Sequence, residues 1–112
     1  KLLEKIIDNF KIDIVQFPCN YFNRDFLKKS LLKKLKKKKI ELHARSIFMQ
    51  GKLLENPKKL NYFKKWSKLF DEIDNWHKKN KISKLESCIG FIFKNRSIDK
   101  IIIGVDSLKE IN

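Results

Sequence analysis

Glu41, His43 and Arg45 stand two residues apart in IELHARSIFMQGKLL, with Ile40, Leu42 and Ala44 between them. That alternation is the period of a strand with two unlike faces. The polar face ends on a cation. Ser46 follows at once, and Gly51 closes the loop. A cation, a hydroxyl and a glycine at the carboxyl end of a strand form a place to hold a ligand, which is where α/β proteins hold theirs. Glu41 and His43 could also share a metal ion, but two ligands are too few for zinc, and no metal site is expected. No GxGxxG and no phosphate-binding loop motif occurs. No Ser or Cys has an evident His partner at motif spacing, so hydrolase chemistry has no support.

Three strands and their helices must position these residues. Leu2, Leu3, Ile6, Ile7 and Phe10 make a helical stripe. Ile12–Phe17 reads as a buried parallel strand, with Ile12, Ile14 and Gln16 on one face and Pro18 ending it. After a loop, Cys19–Arg24, a helix opens at Asp25. Its stripe is Leu27, Leu31 and Leu35, with Phe26 and Leu32 beside it. The Lys36–Lys39 run is its solvated end. The strand Ile40–Arg45 is followed by a loop to Pro57 and a long helix from about Leu60 to Asn80. That helix would bury Phe63, Trp66, Phe70, Ile73 and His77, flanked by Leu69 and Trp76. Its aromatic stripe reads as core and His77 as a packing residue. Ser83 and Glu86 form a capping box for a helix that would turn Leu85, Cys88, Ile89, Ile92 and Phe93 inward. Asp99–Gly104 reads as a third strand, buried on both faces. Asp106 or Ser107 would cap a last helix, first turn only. Strands alternating with helices predict an α/β fold with a parallel sheet.

The 112 residues bound this to one domain or less, and nine Phe and two Trp can build a core. The net charge of +14 comes mostly from scattered lysines, with three arginines, and predicts loose, non-specific attraction to polyanions only. Cys19 and Cys88 lack CxxC spacing and read as free thiols in a reducing, cytoplasmic compartment. No apolar run is long enough to span a membrane. A chain that opens inside a helical stripe without Met and closes in a helix turn reads as a piece of a longer protein.

IDIVQFPCN, IELHARSIFMQGKLL, KLESCIGFIFKN and IDKIIIGVDSLKEI together resemble the last three βα units of an aldo-keto reductase. The resemblance covers essentially the whole chain, residues 1–112, as a single partial domain. It implies three parallel strands, with surrounding helices, of a (β/α)8 TIM barrel that reduces small carbonyls with NADPH or NADH. By resemblance Gln16 would hydrogen-bond the nicotinamide carboxamide, since an amide both donates and accepts. Arg45 stands where many members stack an aromatic ring on the nicotinamide. Ser46, Phe48 and Gln50 would wrap the pyrophosphate, and Gly51 would permit the close turn. Gly104, Val105 and Ser107 would hold the adenosine phosphate. Glu110 stands where NADPH-dependent members place an arginine, which leaves NAD and NADP both open. The family's catalytic Asp, Tyr, Lys and His come from earlier strands, so no catalytic residue is expected. A non-catalytic barrel fragment, which only assembles or binds cofactor weakly, is the alternative. Three strands cannot close a barrel, so the isolated chain is expected to self-associate as a symmetric dimer or larger.

Overall fold

The computed structural model describes residues 2–55 and 61–108. The order is α1 (Leu2–Asn9), β1 (Ile14–Pro18), α2 (Lys29–Lys37), β2 (Glu41–Arg45), α3 (Ser67–Asn80), α4 (Lys84–Phe93) and β3 (Lys100–Ile101). The strands form one open sheet in the order β1-β2-β3, and both pairings are parallel. Register sets Gln16 opposite His43 and Pro18 opposite Arg45, with Lys100 on the other side of His43. The expected α/β fold with three parallel strands is therefore present.

The two sheet faces differ as the alternation predicts. Phe17, Leu42 and Ala44 are fully buried with Ile7, Leu35, Ile47 and Ile92 on the helix side. Phe17 stacks on Phe26 with ring centroids 4.8 Å apart. The other face carries Ile14, Gln16, Glu41, His43, Arg45 and Lys100.

Several boundaries move for local reasons. Pro18 belongs to β1 rather than ending it. Glu41 N donates to the Asp13 carbonyl and Cys19 N to the Arg45 carbonyl, so odd-numbered residues bond β2 and even-numbered ones point to the free edge. A proline there removes no ladder bond. Ile40 caps α2 through its bond to the Leu35 carbonyl, so β2 starts one residue later than expected. The helix expected from Asp25 is a short 3-10 turn, Asp25–Leu27, and Lys28 then takes an extended conformation before α2. The long aromatic helix is likewise split, into a 3-10 turn over Asn61–Trp66 and α3. Its expected start at Leu60, the loop end at Pro57, and Glu110 with the final turn lie outside the described residues.

Burial follows the patterns in part. Phe70 and His77 are buried on α3, and Leu69 and Trp76 are exposed. Cys88 and Ile92 are buried on α4, whereas Leu85 and Phe93 face solvent. On α1 Ile7 is buried, Leu3 packs against the core, and Leu2, Ile6 and Phe10 stay exposed. The third strand is not buried on both faces. Only Lys100–Ile101 has strand geometry, and Ile102 and Ile103 are exposed. A parallel strand becomes fully covered only when a further strand takes its free edge, and among the described residues β3 has none.

Ion pairs engage part of the lysine run. Lys34 and Lys38 reach Asp8, at 2.6 and 3.4 Å, and Lys36 reaches Asp99 at 2.6 Å. The Asp99 carboxylate also accepts from Leu42 N at 2.8 Å, which pins the start of β3 to β2. Lys36 above all, then the Leu42 amide, holds the Asp99 carboxyl below its ordinary value of 3.8. A depressed folded-state value means the stabilisation is present above that ordinary value and lost as pH falls through the lower folded one. Thermal melts between neutral pH and about pH 3 should therefore show a steeper acid decline for the native chain than for Asp99→Asn. Parallel declines would remove Asp99 as an acid-sensitive tie.

Candidate functional site

The sheet's parallel direction brings three segments to one edge. Cys19–Arg24 leaves the end of β1, Ser46–Glu55 leaves β2, and Ile102–Ser107 leaves β3. Gln16, Arg45, Ser46 and the Gly104–Ser107 segment therefore lie at the same end of the molecule. Gln16 is exposed on the polar face, one position before the end of the core-facing ladder at Phe17. Arg45 is exposed too, and its guanidinium donates to the Ser46 hydroxyl at 3.3 Å.

The loop after β2 has an unusual backbone. Ser46, Met49 and Gln50 take φ of 55°, 50° and 56°, and Gly51 takes 76°. Left-handed non-glycine residues are uncommon, and three within five positions persist only where surrounding contacts enforce them. Turn bonds supply part of that enforcement: Met49 N donates to the Ser46 carbonyl and Leu53 N to the Phe48 carbonyl. Buried Ile47 and Leu53 anchor the loop in the core. Among the described residues the amides of Phe48, Gln50 and Gly51 have no backbone acceptor. Amides without a backbone acceptor in a left-handed turn at a strand end suit an anion. The Phe48 side chain packs against the core, so its contribution to a ligand would be its backbone. Gln50 is exposed.

Gly104, Val105 and Ser107 are all exposed. A Cβ on Gly104 would meet nothing within 4 Å and its φ is not left-handed, so the local fold does not require glycine there.

Asn20 is the rim residue that the sequence did not single out. Its side chain is 4% exposed. Its Oδ1 accepts from Phe22 N and Asn23 N at 3.0 and 2.9 Å, and its Nδ2 donates to the Ser46 carbonyl at 3.1 Å. One amide thus ties the loop after β1 to the first left-handed residue after β2. An Asn closing a turn on its own downstream amides is a sequence-level signal. Its reach across to Ser46 is not.

Below the rim, Lys100 Nζ lies 2.7 Å and His43 Nε2 3.3 Å from Glu41 Oε1. Lys100 first, then His43, lowers the Glu41 carboxyl below its usual range. The His43 contact lacks hydrogen-bond geometry, and this imidazole is buried. Among the described residues no three His, Cys, Asp or Glu side chains gather as a metal site would need. His77 packs edge-on to Trp76 at 5.5 Å, and burial pushes its imidazole to a lower value.

The two tyrosines have structural surroundings. Burial raises the Tyr21 phenol, and the neighbouring Cys88 thiol adds to the rise. Tyr21 also sits edge-on to Phe91 at 6.3 Å. Tyr62 is exposed and packs against Phe63 and Trp66. Cys19 and Cys88 are free, buried thiols, raised by that burial. No helix among the described residues is long and apolar enough to cross a membrane.

The model of the aldo/keto reductase family matches residues 1–112. No curated protein and no solved structure matches.

Proposed function

Since the chain belongs to the aldo/keto reductase family, we propose that it is the dinucleotide-holding part of an NAD(P)H-dependent carbonyl oxidoreductase. In this reading its three strands are neighbouring staves of a (β/α)8 barrel. The observation that carries it is the Ser46–Gly51 loop, with left-handed residues and free amides at the carboxyl end of β2. Those amides suit the pyrophosphate, and the exposed Gln16 amide suits the nicotinamide carboxamide. Arg45 and Ser46 add a paired cation and hydroxyl beside them. Gly104, Val105 and Ser107 would face the adenosine phosphate from the same edge. Bound there, NAD(P)H supplies the hydride that reduces a small carbonyl. This chain's part is to bind and orient. The proton donor would come from strands beyond these three. NAD and NADP both fit this reading, as does a cytoplasmic setting.

A second reading, a barrel fragment that chiefly assembles, draws on the sheet's bare parts. Ile14, Ile102 and Ile103 are exposed where a closed barrel or a second copy would cover them.

Titration of the full chain with NADPH and with NADH, followed by nicotinamide fluorescence, tests the first reading. Saturable binding is expected, weakened roughly tenfold by Gln16→Leu and by Gly51→Val, which forces a β-branched residue into φ near 76°. Equal, non-saturating signals for native chain and variants would leave only the assembly reading.

A further inference from the structure

The chain also has an aromatic cleft, formed by the segment after β1, the loop after β2, the 3-10 turn over Asn61–Trp66 and α3. The segment after β1 turns Tyr21 onto Phe91 and Cys88 of α4, and Phe22 onto Phe70 of α3. Phe22, Tyr62, Phe63, Trp66 and Phe70 then surround a cleft of about 430 Å³. Their rings meet edge-on or tilted, as with Phe63–Phe70 at 5.7 Å and 90° and Phe22–Phe70 at 5.6 Å and 61°. Edge-to-face contact is a preferred arrangement of aromatic rings. Phe22 and Tyr62 remain 38% and 71% exposed, so packing within the chain leaves much of their surface uncovered.

Met49 and Lys52, from the loop after β2, complete the lining. Lys52 is the one charged group among the described lining residues. Just outside them, Lys65 Nζ sits 4.1 Å from the Trp66 ring centre. The volume lies in the range of small-ligand pockets, and apolar walls with one polar anchor are their usual composition.

We propose that this cleft binds a planar aromatic molecule carrying an acid group, its ring among the aromatic side chains and its carboxylate toward Lys52. The site is separate from the polar sheet face and does not rest on the dinucleotide reading. Met49 and Lys52 nevertheless flank Gln50 and Gly51, so a guest here would press on that loop's backbone.

The test uses 2-naphthoate and its neutral analogue 2-naphthamide. In a Trp76→Phe chain, Trp66 is the remaining indole and reports occupancy by fluorescence. Saturable quenching by 2-naphthoate at millimolar concentration or below is expected, with 2-naphthamide weaker by roughly threefold to tenfold. Lys52→Met should abolish that preference while keeping the amide's affinity. Trp66→Leu, followed by calorimetry, should weaken both. Lys52 is half-exposed, so its variant keeps the test decisive if Trp66→Leu fails to fold. Three results would overturn the proposal: no saturation by either probe, equal affinity for both in the native chain, or Trp66 fluorescence that tracks protein concentration with sedimentation showing a dimer. The last would make a second copy the occupant.

Discussion

Phe17→Ala is expected to cost roughly 3–5 kcal/mol, as large-to-small changes at well-packed aromatic positions do. Phe17 is completely buried one residue before the end of β1 and opposes Ala44 across the ladder. Alanine at 17 would remove the ring stacked on Phe26 and leave a void beneath Leu35 and Leu42. Domains are stable by about 0.05–0.15 kcal/mol per residue, and one face of this sheet lacks a covering layer, so such a loss is a large share of the total. Urea unfolding followed by circular dichroism would read it as a collapse of the midpoint. Phe93→Ala makes the control, because Phe93 is 72% exposed and should shift stability by less than about 0.5 kcal/mol. Similar midpoints for the two variants would mean that the core does not centre on β1.

Asn20→Ala is expected to cost about 1–3 kcal/mol and to loosen the loop after β2 as well. The substitution takes an acceptor from Phe22 N and Asn23 N and a donor from the Ser46 carbonyl. Asn23 N keeps the Asn20 carbonyl and the Ser46 carbonyl keeps Met49 N, so the Phe22 amide is the group left without a described partner, a loss of about 1–3 kcal/mol. Asn20→Asp separates the two effects. Its carboxylate still accepts from Phe22 and Asn23, so the turn survives. It cannot donate to the Ser46 carbonyl, and it sets like partial charges against each other. The Asp variant should therefore keep more stability than Ala, while binding of NADPH or NADH falls several-fold in both. Native-like cofactor affinity in Asn20→Asp would detach the Ser46 loop from its proposed role.

These effects divide along the line between what was legible in the sequence and what was not. Alternation in ELHAR gave the two faces of β2, and the capping box gave the start of α4 to the residue. Parallel order followed from strand–helix alternation. Edges were harder. Pro18 sits in a strand because its N–H would point away from β2, and that depends on which edge is free. Ile102 and Ile103 read as buried because β-branched runs usually are, yet burial needs a neighbour that the local sequence cannot supply. The broken helix before α3 has a similar cause: its aromatic stripe obeys helical spacing, but Tyr62, Phe63 and Trp66 pack on one another in a 3-10 turn. At the site, Gln16, Arg45, Ser46 and Gly51 were legible as types at strand ends. The left-handed backbone at Met49 and Gln50 and the reach of Asn20 to Ser46 were not, because they arise from two loops meeting.

The open sheet also constrains assembly by arithmetic. Among the described residues β1 and β3 each present one free edge, and the two are not alike. Joining β3 of one copy to β1 of the next continues the parallel ladder, but such a head-to-tail contact adds three strands at a time. Three does not divide eight, so whole copies cannot complete an eight-stave cylinder; they would overshoot it or grow as a filament. Pairing β1 with its own two-fold mate closes after two copies and covers Ile14, at the cost of an antiparallel seam that no barrel of this type contains.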